Sequence, residues 1–133
     1  MSAKKIIFAL DDDARMGEVY RELLADEYEV HCFSISYDFL NRLNELKPHL
    51  MIIDINLGPI NGYQMCEALK QKGEMEDIPV VLVSEQDVAE DKSQAFFSGG
   101  SEYVTKPIQA APFCALLARM IEDHWGNQWE LDA

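Results

Sequence analysis

Two rhythms of apolar residues alternate along the chain. Strand-length runs stand at "KKIIFAL" (4–10), "YEVHCF" (28–33), "LMIID" (50–54), "IPVVLVS" (78–84) and "SEYVTKP" (101–107). Between them, apolar residues return every three or four positions, the spacing of one helix face. Met16, Val19, Tyr20, Leu23 and Leu24 predict a first helix, and Phe39, Leu40, Leu43 and Leu46 a second, stopped by Pro48. After the turn chemistry of "NLGPING" (56–62), Tyr63 to Lys72 reads as a third. A weaker helical stretch over 87–98 is broken by Gly99-Gly100. Phe113, Leu116, Leu117, Met120 and Ile121 share one face of a fifth helix over 110–125, and "GNQWELDA" reads as a frayed tail. Five strands alternating with five helices imply an α/β domain whose parallel sheet is covered on both faces.

In such folds ligands bind outside the carboxyl ends of the strands, near the point where strand order reverses. Those ends are Asp11-Asp12-Asp13 after the first strand, Asp54 and then Asn56 after the third, Ser84-Glu85 after the fourth, and Lys106-Pro107 after the fifth. Asp13 is also placed to cap the first helix. Singly, a serine or lysine at a strand end carries no message. Together, hard oxygen ligands in twos and threes suit Mg²⁺, which also relieves the repulsion of clustered carboxylates. A carboxylate beside such a cation can attack a phosphoryl donor to give an acyl phosphate. An ammonium and a hydroxyl at the same rim can then hold the phosphoryl oxygens.

The remaining composition narrows the partners. The chain has 133 residues, 48% of them hydrophobic, enough for one folded domain. Acidic residues number 24 against 11 basic, a net charge of −13, with no basic stripe for nucleic acid. No apolar segment reaches the ~20 residues of a membrane span, and the lysines at the start lead into a strand-length run rather than a signal peptide. Cys32, Cys66 and Cys114 are odd in number and lack any CxxC pairing, so they read as reduced thiols of a cytoplasmic protein rather than zinc ligands.

From about Lys4 to Trp125 the chain resembles the receiver domain of two-component response regulators. The motifs that carry this are "DDD", "IIDINLGPINGYQ", "VVLVS" and "YVTKPI". The resemblance implies a flavodoxin-like, doubly wound sheet of order 2-1-3-4-5 with five helices over 1–125, and 126–133 as tail or start of a linker. It implies Asp54 as the phosphoacceptor, charged by a sensor histidine kinase or a phosphotransfer protein. Asp11, Asp12, Asp54 and the backbone carbonyl of Asn56 would hold Mg²⁺, with Asp12 the more direct ligand of the acidic pair. Ser84 and Tyr103 match the switch hydroxyl and the switch aromatic, and Lys106 the site lysine, whose proline usually follows a cis peptide. Phosphorylation would repack the face of helix four, strand five and helix five, for an output partner or a second copy. Phe96, Phe97, Tyr103 and Phe113 are candidates to line that face, at least two of them serving the core instead. The implied role is a signalling switch, not an enzyme acting on a separate substrate. A stand-alone regulator and a piece of a longer protein both fit, and Trp125 and Trp129 suit either a docking role or the start of a linker. The alternative from another class is an interaction module that works without phosphorylation.

Two positions depart from the family pattern. Glu85 follows the hydroxyl where a small residue is usual. At ~6 Å from an incoming phosphoryl group, its charge would oppose it by about 0.7 kcal/mol in water and ~3 at an effective dielectric of 20. The expectation is slower phosphorylation by small donors or a charge used in partner choice. Gly58-Pro59 shifts a proline by one position and loosens the loop after Asp54. Rival families fit less well. A haloacid-dehalogenase-type phosphatase needs an acid where Asn56 stands. A calcium loop starting at Asp54 would need Gly at Pro59 and Glu at Met65. A flavodoxin-like cofactor binder cradles phosphate where this chain sets three carboxylates.

Overall fold

The computed structural model describes residues 3–85, 93, 94 and 96–132, with the side chains of 127–132 left aside. Strands β1 (Lys5–Leu10), β2 (Tyr28–Phe33), β3 (Leu50–Asp54), β4 (Val80–Ser84) and β5 (Glu102–Thr105) form one sheet of order β2-β1-β3-β4-β5. Every neighbouring pair is parallel. Between the strands lie α1 (Ala14–Leu24), α2 (Ser36–Glu45) and α3 (Gly62–Lys70), and a C-terminal helix (Ala110–Asp132) follows β5.

Strand side chains alternate between the two faces, and each face has its own core. Phe8, Leu10, Met51, Ile53 and Leu82 face α2 and α3 through Phe39, Leu43, Cys66 and Leu69. Ile7, Ala9, Leu50, Ile52, Val81 and Val83 face α1 and the C-terminal helix through Tyr20, Leu24, Phe113 and Leu117. β3 and β4 are buried along their whole length, which explains their unbroken apolar runs. Cys66 is buried, Cys32 and Cys114 are half-buried, and all three are free thiols.

Asp13 caps α1, its carboxylate accepting from the Arg15 N–H. Asn61 and Gln64 form a reciprocal capping box on α3. The C-terminal helix is tied down at the amino-terminal end of the sheet. There Trp125 Nε1–H donates to the His49 carbonyl at 2.8 Å, and their rings meet edge to face at 5.5 Å. His49 Nδ1 in turn accepts from the Ile6 N–H at 2.9 Å.

Beyond shifts of one or two residues at element ends, sequence and structure differ at three places. Four helices are complete among the described residues, where five are expected. The missing one, over 87–98, lies partly outside them, although residues 93, 94, 96 and 97 are helical. The frayed tail is instead helical backbone to Asp132, beyond a break at Gly126 with φ +31° and ψ −123°. Glycine lacks the Cβ that penalises positive φ, so the chain turns there without ending the helical run. The fifth strand is shorter than read, spanning only Glu102–Thr105.

Candidate functional site

Strand order reverses between β1 and β3, and the crevice at their carboxyl ends is where the fold can hold a ligand. Asp11 and Asp54 stand one step beyond Ala9 and Ile52, on the face shared with α1. They are 4% and 2% exposed, whereas Asp12 points to solvent. One carboxylate oxygen from each of Asp11, Asp12 and Asp54 lies within 4.8 Å of the other two. Asp11 Oδ1 accepts from the Asp13 N–H at 3.0 Å, and the Asp11 N–H continues the ladder to the Phe33 carbonyl.

Lys106 reaches in from the end of β5. Its Nζ donates to Asp11 Oδ2 at 2.9 Å and stands 3.5 Å from Asp54 Oδ1, an ion pair without a hydrogen bond. One ammonium cannot neutralise two buried carboxylates, and the charge balance shows it. Burial, followed by the Asp11 charge, pushes the Asp54 carboxyl up to about 6 against the pull of Lys106. Burial alone would lower Lys106, yet its hydrogen bond to Asp11 and the Asp54 charge hold it above the ordinary lysine value. Asp54 Oδ1 remains buried with no hydrogen-bond partner. A buried carboxylate oxygen without a hydrogen bond, beside two more carboxylates, is a donor set for a hard divalent cation, and the residues therefore fit Mg²⁺.

The other expected residues gather at the same rim. Ser84 ends β4, 3% exposed, and its carbonyl accepts from the Lys106 N–H at 2.7 Å. The Lys106–Pro107 peptide is cis. Asn56 is exposed, and its N–H donates to the Asp54 carboxylate. Glu85 is exposed just past Ser84, so solvent screening favours the lower of the two repulsion figures. Tyr103 is half-buried on β5 and packs against the α2–α3 core. Of the aromatics expected on the neighbouring face, Phe96 and Phe97 are 74% and 86% exposed, whereas Phe113 is 3% exposed and belongs to the core. The Trp129 side chain lies outside the described residues.

A residue that sequence reasoning treated only as turn chemistry is Gly62. A Cβ there would sit 2.5 Å from the Asp54 carbonyl oxygen and 2.8 Å from Ile55 Cα. Its N–H donates to the Ile55 carbonyl at 2.8 Å, so α3 is clamped directly onto the backbone that carries Asp54. The glycine of "NG" was the available signal, but nothing in the sequence says what it approaches.

The family model described as "Response regulator receiver domain" matches residues 7–118. The chain belongs to the response regulator receiver domains. Receiver domains act in two-component signalling as switches, which is the coarse function of this one. Among curated relatives, the heme response regulator HssR of Staphylococcus saprophyticus is 32% identical over 101 residues, 75% of this chain and 44% of that protein. The HssR of Staphylococcus aureus is 31% identical over the same shares. The chain thus spans less than half the length of these relatives. Among solved structures, the BeF3-activated DrrB receiver domain is 28% identical, with a TM-score of 0.80 over 90% of this chain and 98% of that one. A putative response regulator from Chloroflexus aurantiacus, 22% identical, shares the fold at a TM-score of 0.83 over 89% of this chain and 98% of that one. Among the described residues of this receiver domain, no helix is long and apolar enough to cross a membrane.

Proposed function

We propose that this receiver domain is a phosphorylation switch whose acceptor is Asp54, served by a sensor histidine kinase or a phosphotransfer protein. The observation that carries this is the buried Asp54 carboxylate, one oxygen of which accepts no hydrogen bond, set beside Asp11, Asp12 and Lys106. An Asp54 oxygen attacks the phosphorus of a phosphohistidine. The P–N bond breaks, its electron pair leaves on the imidazole nitrogen, and an acyl phosphate remains on Asp54.

Asp11, Asp12, Asp54 and the Asn56 carbonyl would hold Mg²⁺, which when bound neutralises charge on the carboxylates and on the incoming phosphoryl group. Lys106 pairs with a phosphoryl oxygen, and the Ser84 hydroxyl donates to another. The pull on Ser84 biases a two-state equilibrium, and Tyr103 follows it inward. Glu85, just past the hydroxyl, slows phosphorylation by small anionic donors or serves in partner choice. Glu85→Ala that leaves the acetyl-phosphate rate unchanged rules out the first of these roles. The output is a contact made by the face of the expected fourth helix, β5 and the C-terminal helix, with a protein partner or a second copy. Phe96 and Phe97 stand exposed in the stretch expected to form that fourth helix. The net charge of −13 argues against direct nucleic-acid binding. The switching unit is residues 1–125, and 126–133, which start at the Gly126 break, are a C-terminal tail or the start of a linker. A cytoplasmic location follows from a kinase partner that draws on ATP.

Intact mass after incubation with acetyl phosphate and Mg²⁺ tests the proposal. The wild-type chain gains one phosphoryl group and Asp54→Asn gains none. No gain from acetyl phosphate or from a cognate kinase refutes it.

A further inference from the structure

At the amino-terminal end of the sheet, opposite the carboxylate rim, the last turn of α2 meets the end of α3 across a cavity of about 270 Å³. Its floor is apolar, made by Leu40 and Leu43 of α2, Leu69 of α3 and Met75 of the turn that follows. Leu43, Leu69 and Met75 are buried in the α2–α3 core, and Leu40 is half-buried against it. Packing that the domain needs for its own stability therefore fixes the floor. The mouth stays open, and a Cβ on Gly73 at its edge would meet nothing within 4 Å.

The charge at that mouth runs against the rest of the chain. Acidic residues outnumber basic ones by 24 to 11 overall, yet here Lys47 and Lys72 face Glu74 alone. An anion is drawn to this spot in preference to its acidic surroundings. Lys47 Nζ donates to the Leu43 carbonyl at 3.0 Å, which caps the end of α2, and pairs with Glu74 at 2.8 Å. The Lys47 side chain is 42% exposed and that of Glu74 79%, so the pair is worth little and opens readily. Lys72 makes no ion pair among the described residues. Glu74 thus shows the group that Lys47 accepts, a carboxylate, and is held too loosely to exclude one that also covers the floor.

We propose that this cavity is a binding site for a small amphipathic carboxylate. Its apolar body lies on Leu40, Leu43, Leu69 and Met75, and its carboxylate sits between Lys47 and Lys72, in the place Glu74 takes at Lys47. The volume sets the size. At the ~30 Å³ that a water occupies in the liquid, 270 Å³ holds about nine non-hydrogen atoms, fewer than a drug-sized ligand has. An inorganic anion would leave the apolar floor uncovered, and an alcohol of the same chain would leave both ammonium groups without a counter-charge. The site lies at the far end of α3 from the Asp54 loop, and the inference stands independently of the phosphoacceptor reading.

Heptanoate, with nine non-hydrogen atoms, is the probe, and heptan-1-ol is its uncharged control. Each is titrated into the full chain and followed by the methyl NMR signals of Leu43, Leu69 and Met75. Heptanoate should shift these signals saturably and bind more tightly than heptan-1-ol. Glu74→Gln removes the competing carboxylate and should tighten heptanoate by about two- to fivefold, the reach of one exposed ion pair, with heptan-1-ol unchanged. Lys72→Gln, at an exposed position, should weaken heptanoate by about the same factor. Unmoved methyl signals, equal affinities for heptanoate and heptan-1-ol, or a Glu74→Gln or Lys72→Gln chain that binds heptanoate like wild type overturns the inference. So does tighter binding of a short peptide ending in a leucine carboxylate, which would assign the cavity to the end of a protein chain instead.

Discussion

Replacing Gly62 with alanine adds one methyl group where the backbone of the acidic loop already stands. The new Cβ would lie 2.5 Å from the Asp54 carbonyl oxygen, 2.8 Å from Ile55 Cα and 3.0 Å from the Asp54 carbonyl carbon. Carbon contacts are comfortable at about 3.5–4.0 Å, so the overlap is on the order of 1 Å. All three atoms are main chain, and no flexible side chain can swing aside. The loop must shift, or α3 must, against the Gly62 N–H bond to the Ile55 carbonyl at 2.8 Å. Overpacking of this kind costs about 1–3 kcal/mol, and alanine's helix propensity returns at most ~1. We expect a net loss of about 2 kcal/mol, a melting temperature lower by roughly 6–10 °C for a domain of this size. Because the displaced atoms carry Asp54, phosphoryl transfer from acetyl phosphate should also slow at temperatures where the variant is fully folded. Calorimetry and intact-mass kinetics read the two effects. Gly73→Ala is the control, since nothing lies within 4 Å of a Cβ there. A Gly62→Ala chain that melts and reacts like wild type would refute the clash and the clamp together.

Three further outcomes follow from particular contacts. Asp12→Asn removes an exposed charge from a cluster of three carboxylates, so the metal-free melting temperature should rise while the gain on adding Mg²⁺ largely disappears; thermal melts in chelator and in Mg²⁺ read both. His49 is held below the usual imidazole value, by burial first and by Lys5 second, and its Nδ1 accepts from the Ile6 N–H. Its contribution is therefore complete above about pH 6.5 and is lost as pH falls through the lower folded value. The stability difference between wild type and His49→Gln should shrink over that acidic range, and a difference that grows there would contradict the assigned hydrogen bond. Trp125→Phe keeps an aromatic ring but removes the 2.8 Å bond to the His49 carbonyl, and should cost about 1 kcal/mol in urea titrations with an unchanged slope.

The apolar runs ending at Leu10, Asp54 and Ser84 were sufficient to locate those strands, because buried parallel strands admit little but apolar side chains, whereas the half-buried β5 is shorter than its run suggested. The same local logic placed Asp13 at the head of α1, since an N-cap is a contact between residues two apart. It also brought Asp11, Asp12, Asp54, Ser84 and Lys106 into one list, as any parallel sheet puts its strand ends on one rim. What no local pattern holds is distance across the fold. The sharing of Lys106 between Asp11 and Asp54 and the Trp125–His49 contact join residues far apart in sequence, and the Gly62 approach to the Asp54 carbonyl depends on how the loop between them folds back. Tyr20 and Phe8 are equally apolar letters in a helical or strand pattern. Only the tertiary structure sets one in the core with Phe113 and the other in the core with Phe39, because which face a side chain meets is decided by packing among elements rather than by its own segment.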